Sequence, residues 1–178
     1  MNTEKKTLFI DMDEVMADTF SKHIELYNQD FNEALRHEDC LGKDIWHVVP
    51  EDRKKSIIAH VYKKGFFRDL APIKDSQEVI RALYDVYEVY VASAAMQFPN
   101  SLLEKNEWLD EYFPFIHWRR RILCGDKFIL KGAYLIDDRS YNLETFEGTG
   151  LLFSSPHNHF DNGFTRVNNW QDVASLLL

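Results

Sequence analysis

Two pairs of carboxylates stand out in this chain, each directly behind a short apolar run. Asp11-Met12-Asp13 follows Thr7 to Ile10, and Asp137-Asp138-Arg139 follows Tyr134 to Ile136. Two carboxylates two residues apart in a loop can converge on one cation and one substrate. The same spacing could instead N-cap a helix or open a calcium loop, but a calcium loop wants further oxygen ligands and a glycine at fixed offsets. Glu14-Val15-Met16 supplies no such pattern. Alone, the second pair reads as a solvated turn. Together the pairs are much more specific, because strand ends of an open parallel sheet lie along one edge and would bring them into one site.

Other residues add to this set. The run Val86 to Ala92 ends at Ser93, and the small Ala94 and Ala95 let a ligand approach the backbone. Lys127, in Gly125-Asp126-Lys127, could neutralise a phosphate as a point charge, although most lysines are solvated. His157 and His159 lack the cysteine or acidic partners of a transition-metal site and read as a loop near the acidic edge. Arg119, Arg120 and Arg121 read as a solvated edge ahead of a strand in preference to a phosphate contact.

These residues need a frame to hold them. Thr7 to Ile10, Val86 to Ala92, Ile122 to Cys124, Tyr134 to Ile136 and Gly150 to Phe153 read as buried strands. Helical periodicity lies between them at Ser76 to Tyr84, with Asp75 or Ser76 as N-cap, and at Leu102 to Tyr112 and Gln171 to Leu178. This alternation predicts an α/β, doubly wound, mostly parallel sheet with helices on both faces. From about Asp18 to Leu70 there is helical periodicity at Phe20 to Tyr27 and Arg53 to Lys63 but no convincing strand, which predicts a small α-helical insertion. Pro72 restarts the core. The expected division is therefore a core of residues 1–17 and 72–178 and a helical unit of residues 18–71.

Bulk properties bound the function. At 178 residues the chain holds one sizeable core, so a second compact unit has to be an insertion. The net charge of −8 speaks against a nucleic-acid polymer as partner. No run is long enough for a signal peptide's core or a membrane span. Cys40 and Cys124 sit in unlike contexts and read as free thiols in the cytoplasm.

The order and context of Asp11/Asp13, Ser93, Lys127 and Asp137/Asp138 resemble the four signature motifs of the haloacid dehalogenase superfamily, whose core is Rossmann-like. More narrowly, D-M-D-x-V-x-A-D at Asp11 to Asp18 and L-I-D-D-R at Leu135 to Arg139 resemble its 5'(3')-deoxyribonucleotidases. The stretches Leu35 to Asp39, Ile45-Trp46 and Gly65 to Pro72 are similar to that family's helical cap and its return to the core.

The resemblance implies a phosphatase in which Asp11 is the nucleophile, forming an aspartyl-phosphate, and Asp13 the general acid and base. It implies Mg²⁺ on Asp11, the Asp13 backbone carbonyl and Asp138, with Asp137 orienting them or serving as an alternative ligand. Ser93, Ala94 and Lys127 would bind phosphate. Ile45, Trp46, His47 and Phe67 are candidates for base contact, with the alternative that Trp46 and Phe67 fill a small core. The implied partner is a small phosphomonoester, foremost a nucleotide; a homodimer is left open. Departures from the family pattern are Glu14 where glycine is usual, Ser93-Ala94 where Thr-Ser is common, Gln97 in place of a second basic contact, and Thr19 where an aromatic is expected, with Phe20 adjacent. A sugar-phosphate phosphatase is the runner-up. A phospho-receiver domain fits less well, because Lys127 precedes the last acidic pair.

Overall fold

The computed structural model describes residues 5–178; the first four residues of the expected core segment lie outside it. Strand β1 (Thr7–Ile10) is central because every apolar residue in it is buried from both faces. Leu8 and Ile10 point into one apolar cluster and Phe9 into another on the opposite face. β1 pairs in parallel with β2 (Glu88–Ser93) and β4 (Lys131–Asp137). With β3 (Arg121–Leu123), β5 (Glu147–Phe153) and β6 (Thr165–Val167), the sheet has the order β3-β2-β1-β4-β5-β6.

The described pairings between its strands are all parallel, where the sequence predicts a mostly parallel sheet. The order reverses at β1, so the carboxyl ends of β1 and β4 flank the crevice where open α/β sheets bind ligands.

Helices cover both faces. α3 (Ser76–Val86), α4 (Pro99–Tyr112) and α6 (Trp170–Leu177) pack Val79, Ile80, Leu83, Trp108, Leu109 and Val173 into the Leu8/Ile10 cluster. The short α5 (Ser140–Glu144) packs Leu143 with Phe9, Leu135 and Leu152 on the other.

Some boundaries differ from the sequence reading. β2 starts at Glu88 and not Val86, because α3 continues to Val86 and the Tyr87 N–H still donates to Leu83 O at 2.8 Å. Asp75 precedes α3 in a left-handed conformation and makes no side-chain cap bond, and the Ser76 hydroxyl is buried without a partner. β6 was not expected: it is a three-residue edge strand, Thr-Arg-Val, with no apolar run to announce it.

Between β1 and α3 lie α1 (Thr19–Phe31), α2 (Lys54–His60) and 3-10 turns at His37–Cys40, Ile45–His47 and Glu51–Arg53. This stretch has an apolar cluster of its own, including Phe20, Ile24, Cys40, Ile45 and Ile57. Its two ends are adjacent, since the Asp18 N–H donates to Ala71 O at 2.9 Å. Phe66, Phe67 and Leu70 belong to the main core cluster and not to this smaller one. Glu104 of α4 holds them there by accepting from the backbone N–H of Gly65 at 2.6 Å and of Phe67 at 3.0 Å. Cys40 and Cys124 are both free, and no helix among the described residues is long and apolar enough to cross a membrane.

The loop after β1 is tied to the far end of the chain by Trp170, whose indole N–H donates to Val15 O at 2.8 Å inside the core. Trp170→Phe keeps most of the ring volume but leaves that carbonyl buried without its donor. The expected cost is about 1–3 kcal/mol, read as a fall in melting temperature on the order of 5 °C.

Candidate active site

The Asp11 N–H donates to Ile136 O at 2.9 Å, continuing the β1–β4 pairing one residue past β1. That register sets the Asp11 carboxyl beside Asp137 and Asp138, and the three offer oxygens within 4.8 Å of one another. All three residues are buried. The Lys127 ammonium lies 2.6 Å from Asp11 Oδ1 and 2.6 Å from Asp137 Oδ2. Asp137 Oδ1 accepts from the Arg139 N–H at 2.9 Å and the Asn142 side-chain amide at 3.0 Å. Asp137 is thus engaged at both oxygens. Asp138 Oδ2 meets His157 Nε2 at 3.2 Å and Arg139 Nε at 3.5 Å.

Three carboxylates around one ammonium leave excess negative charge in a dry place. Burial, with help from the neighbouring aspartates, raises the Asp11 carboxyl well above its usual range against the pull of Lys127. Burial and then Asp137 raise Asp138 to about 7, against Arg139 and Lys127. Burial alone would lower the Lys127 ammonium, but Asp11 and Asp137 outweigh it and hold the ammonium above its ordinary range. An all-oxygen donor set with uncompensated charge fits a hard divalent cation, with water completing its shell. The pair Asp11 and Asp138 has the oxygens to hold one.

Asp13 faces a second buried cation. Lys105 donates to Asp13 Oδ2 at 2.6 Å and to Ser93 Oγ at 2.9 Å, with its ammonium 4.8 Å from the Phe67 ring centre. Thr19 Oγ1 donates to Asp13 Oδ1 at 3.4 Å. Sequence reasoning missed Lys105 because a lysine inside a helical pattern usually faces water. A signal existed: Ser101, Glu104, Lys105 and Trp108 share one helical stripe, and all are buried. Two charges on an apolar stripe call for partners.

A cavity of about 320 Å³ opens between this edge and the helical stretch. Asp11, Asp13, Lys105, Lys127 and Asp138 line one side of it; Phe20, His23, Ile45 and Trp46 line the other. Ala94, Gln97 and Phe67 also border it, whereas Ser93 reaches it through Lys105. His47 is not brought here. It is exposed and borders a neighbouring cavity with Lys43 and Tyr141. Asp44 and Arg139, paired at 2.9 Å, stand between the two cavities.

Of the two loop histidines, His157 joins the site through Asp138, and burial with Arg139 nearby lowers it to about 4. His159 is exposed. Arg120 and Arg121 are not a solvated edge: Arg120 pairs with Glu88 at 3.2 Å, and Arg121 holds Ile116 O at 3.0 Å and Asp110 at 2.7 Å.

The family model for 5' nucleotidase, deoxy (pyrimidine), cytosolic type C protein matches residues 5–178. A 5'(3')-deoxyribonucleotidase of Bacillus subtilis (strain 168) is 41% identical over 174 residues, covering 98% of this chain and 99% of that one. Among solved structures, a haloacid dehalogenase-like family hydrolase, SP0104 from Streptococcus pneumoniae, superposes with a TM-score of 0.61 at 10% identity over 100% of both chains. YfnB from Bacillus subtilis, bound to magnesium, gives 0.61 at 12% identity over 98% of this chain and 99% of that one. At those identities the structural likeness speaks for the fold.

Lys127→Met would leave Asp11 and Asp137 without the cation they share. Removing one partner of a buried ion pair costs about 3–5 kcal/mol. Urea denaturation with a chelator present is expected to report a loss of that size.

Proposed function

Because the chain belongs to this 5'-nucleotidase family and is a phosphatase of the haloacid dehalogenase fold, we propose that it hydrolyses deoxynucleoside monophosphates with magnesium, through an aspartyl-phosphate on Asp11. The observation that carries the reading is the buried Asp11, grouped with Asp137 and Asp138 at the strand-order reversal and opposite Asp13 and Lys105.

Asp11, Asp138 and the Asp13 backbone carbonyl would hold the metal, while Asp137, engaged by Lys127, Arg139 and Asn142, keeps the cluster in place. A bound magnesium supplies the positive charge that lets an anionic carboxylate approach an anionic phosphate. An Asp11 oxygen attacks phosphorus, the P–O bond to the leaving group breaks, and Asp13 gives that oxygen its proton. A water activated by Asp13 then attacks the acyl phosphate, releasing inorganic phosphate and restoring both aspartates. Lys105, already on Ser93 and Asp13, would steady the phosphoryl oxygens together with Ser93 and Ala94. Lys127 neutralises the nucleophile's own cluster.

Residues 18–71 act as a cap on the core of residues 1–17 and 72–178, excluding water and contacting the leaving group. The nucleotide reading is supported by the name of the Bacillus subtilis relative and by the aromatic wall of Phe20, Trp46 and Phe67. A stacked base is worth about 1–3 kcal/mol on such a surface.

Phosphate release across deoxynucleoside and nucleoside monophosphates, sugar phosphates and p-nitrophenyl phosphate tests the reading. Activity that is concentrated on deoxynucleotides and abolished by EDTA is expected. Activity on sugar phosphates alone would discard the nucleotide and keep the chemistry. Asp11→Asn should abolish turnover while the melting temperature stays within a few degrees of the parent; residual turnover would remove Asp11 as nucleophile.

The acidic cluster also implies a pH dependence. Without metal, the raised Asp138 carboxyl keeps a proton that the unfolded chain has released, so its contribution to stability declines as pH rises through about 7. His23 and His157, both lowered to about 4, act in the opposite sense, but only below the ordinary histidine value of 6.5. Magnesium has to displace the Asp138 proton, so the rise in melting temperature on adding it should be larger at about pH 8 than at about pH 6. Differential scanning fluorimetry at the two values measures this.

A further inference from the structure

We propose that Glu14 is a positioning residue that couples the seating of α1 over the cavity to the orientation of Asp138, acting through Ser155 and His157. The inference rests on the reading of the acidic cluster as a magnesium site. Glu14 has φ +61°, a left-handed conformation that costs a residue with a side chain about 1–2 kcal/mol. What the side chain does from that position offsets the cost.

Its Oε1 accepts from the Phe20 N–H at 2.5 Å. That group is one of the donors a helix leaves unpaired at its start. The next, the Ser21 N–H, is taken by Asp18 at 2.9 Å. Helix α1 is therefore anchored once by its own cap residue and once by the loop that carries Asp11 and Asp13.

The other oxygen leads toward the acidic cluster. Glu14 Oε2 accepts from Ser155 Oγ at 3.0 Å, Ser155 Oγ lies 3.0 Å from His157 Nδ1, and His157 Nε2 lies 3.2 Å from Asp138 Oδ2 and 3.1 Å from its backbone oxygen. Nε2 faces two oxygen acceptors, so the ring proton belongs there and Nδ1 accepts. Ser155 then has one hydroxyl proton and two acceptors, Glu14 and His157. Strengthening either contact weakens the other, which makes the chain of bonds responsive at both ends. Phe20 and His23 of α1 border the cavity, so a leaving group that presses on α1 presses on Glu14.

A rival arrangement is present. The Asn158 side-chain amide donates to Asp138 O at 2.7 Å and could hold that residue without Glu14.

The test measures magnesium binding calorimetrically, without substrate, on the full chain and on Glu14→Gly, Glu14→Gln and Ser155→Ala. It adds amide exchange at Phe20 with and without magnesium. Altering the groups behind a metal ligand typically costs 10–100-fold in affinity; acting through two intermediates, Glu14→Gly and Ser155→Ala are each expected to weaken binding about five- to tenfold. In the parent, magnesium should slow exchange at Phe20. Glu14→Gln is expected to bind within about twofold of the parent: its carbonyl keeps the Phe20 N–H and its amide donates to Ser155, so α1 and Ser155 both stay held, whereas Glu14→Gly holds neither.

If Glu14→Gly binds magnesium as the parent does and only Phe20 exchanges faster, Glu14 merely caps a helix and the proposal is overturned. Unchanged binding by Ser155→Ala overturns it as well. Glycine adopts φ +61° readily; should that variant still fail to fold, Ser155→Ala decides. Phosphate release separates this proposal from the substrate reading. If the affinities follow the expected pattern while no deoxynucleotide is hydrolysed, the coupling stands and the nucleotide falls. A parent that binds no magnesium overturns the coupling and the metal assignment together.

Discussion

Lys127 sits 2.6 Å from both Asp11 and Asp137 in a place almost closed to water, and the rest of the candidate site depends on that contact. Three buried carboxylates repel one another, and a single ammonium cannot balance them. The cluster persists because the fold supplies backbone N–H groups and side-chain amides around it, and because β1 and β4 are held in register by the sheet on both sides. The leftover charge is not a defect of the design. On the proposed reading that charge would draw a divalent cation and, with the cation bound, an anionic substrate, although the chain as a whole carries −8.

The arrangement also divides labour between two lysines. Lys127 is spent on the acidic cluster, while Lys105 bridges Asp13 and Ser93 and lies over the Phe67 ring. Glu104, next to it in α4, fixes the backbone that carries Phe67. One helical turn therefore places both a cation at Asp13 and an aromatic wall above it. Burying either charge alone would be costly; each has its partner, as buried charges require.

The helical stretch between β1 and α3 meets the core through apolar and polar contacts alike, with Phe66, Phe67 and Leu70 in the main cluster. The polar contacts include the Asp44–Arg139 pair, the Arg68–Glu111 pair and the Glu14 contact to α1. Its own apolar cluster is small, so its position over the cavity is set by these polar contacts, by the seating of Phe66, Phe67 and Leu70 in the main core and by the adjacent ends of the stretch. Glu14 adds a contact from the loop of Asp11 and Asp13, and it does so from a backbone conformation that favours glycine.

Much of this was legible in the chain itself. The apolar runs and their polar ends identified five of the strands, and two acidic pairs at strand ends implied a common edge, because parallel strands must deliver their carboxyl ends to one side. The helical insertion was legible from periodicity alone. Lys105 was not, since a lysine's burial depends on partners more than ten residues away. Nor was the exclusion of His47 from the Asp11 cavity, which turns on the direction of a single 3-10 turn. β6 has only three residues and no apolar pattern, so its pairing with β5 decides it. Local pattern, a matter of period and apolar content, determined the elements and the acidic edge. Which charges face one another across that edge was decided only by the tertiary structure, because electrostatic partners are chosen by distance in space and leave no period in the sequence.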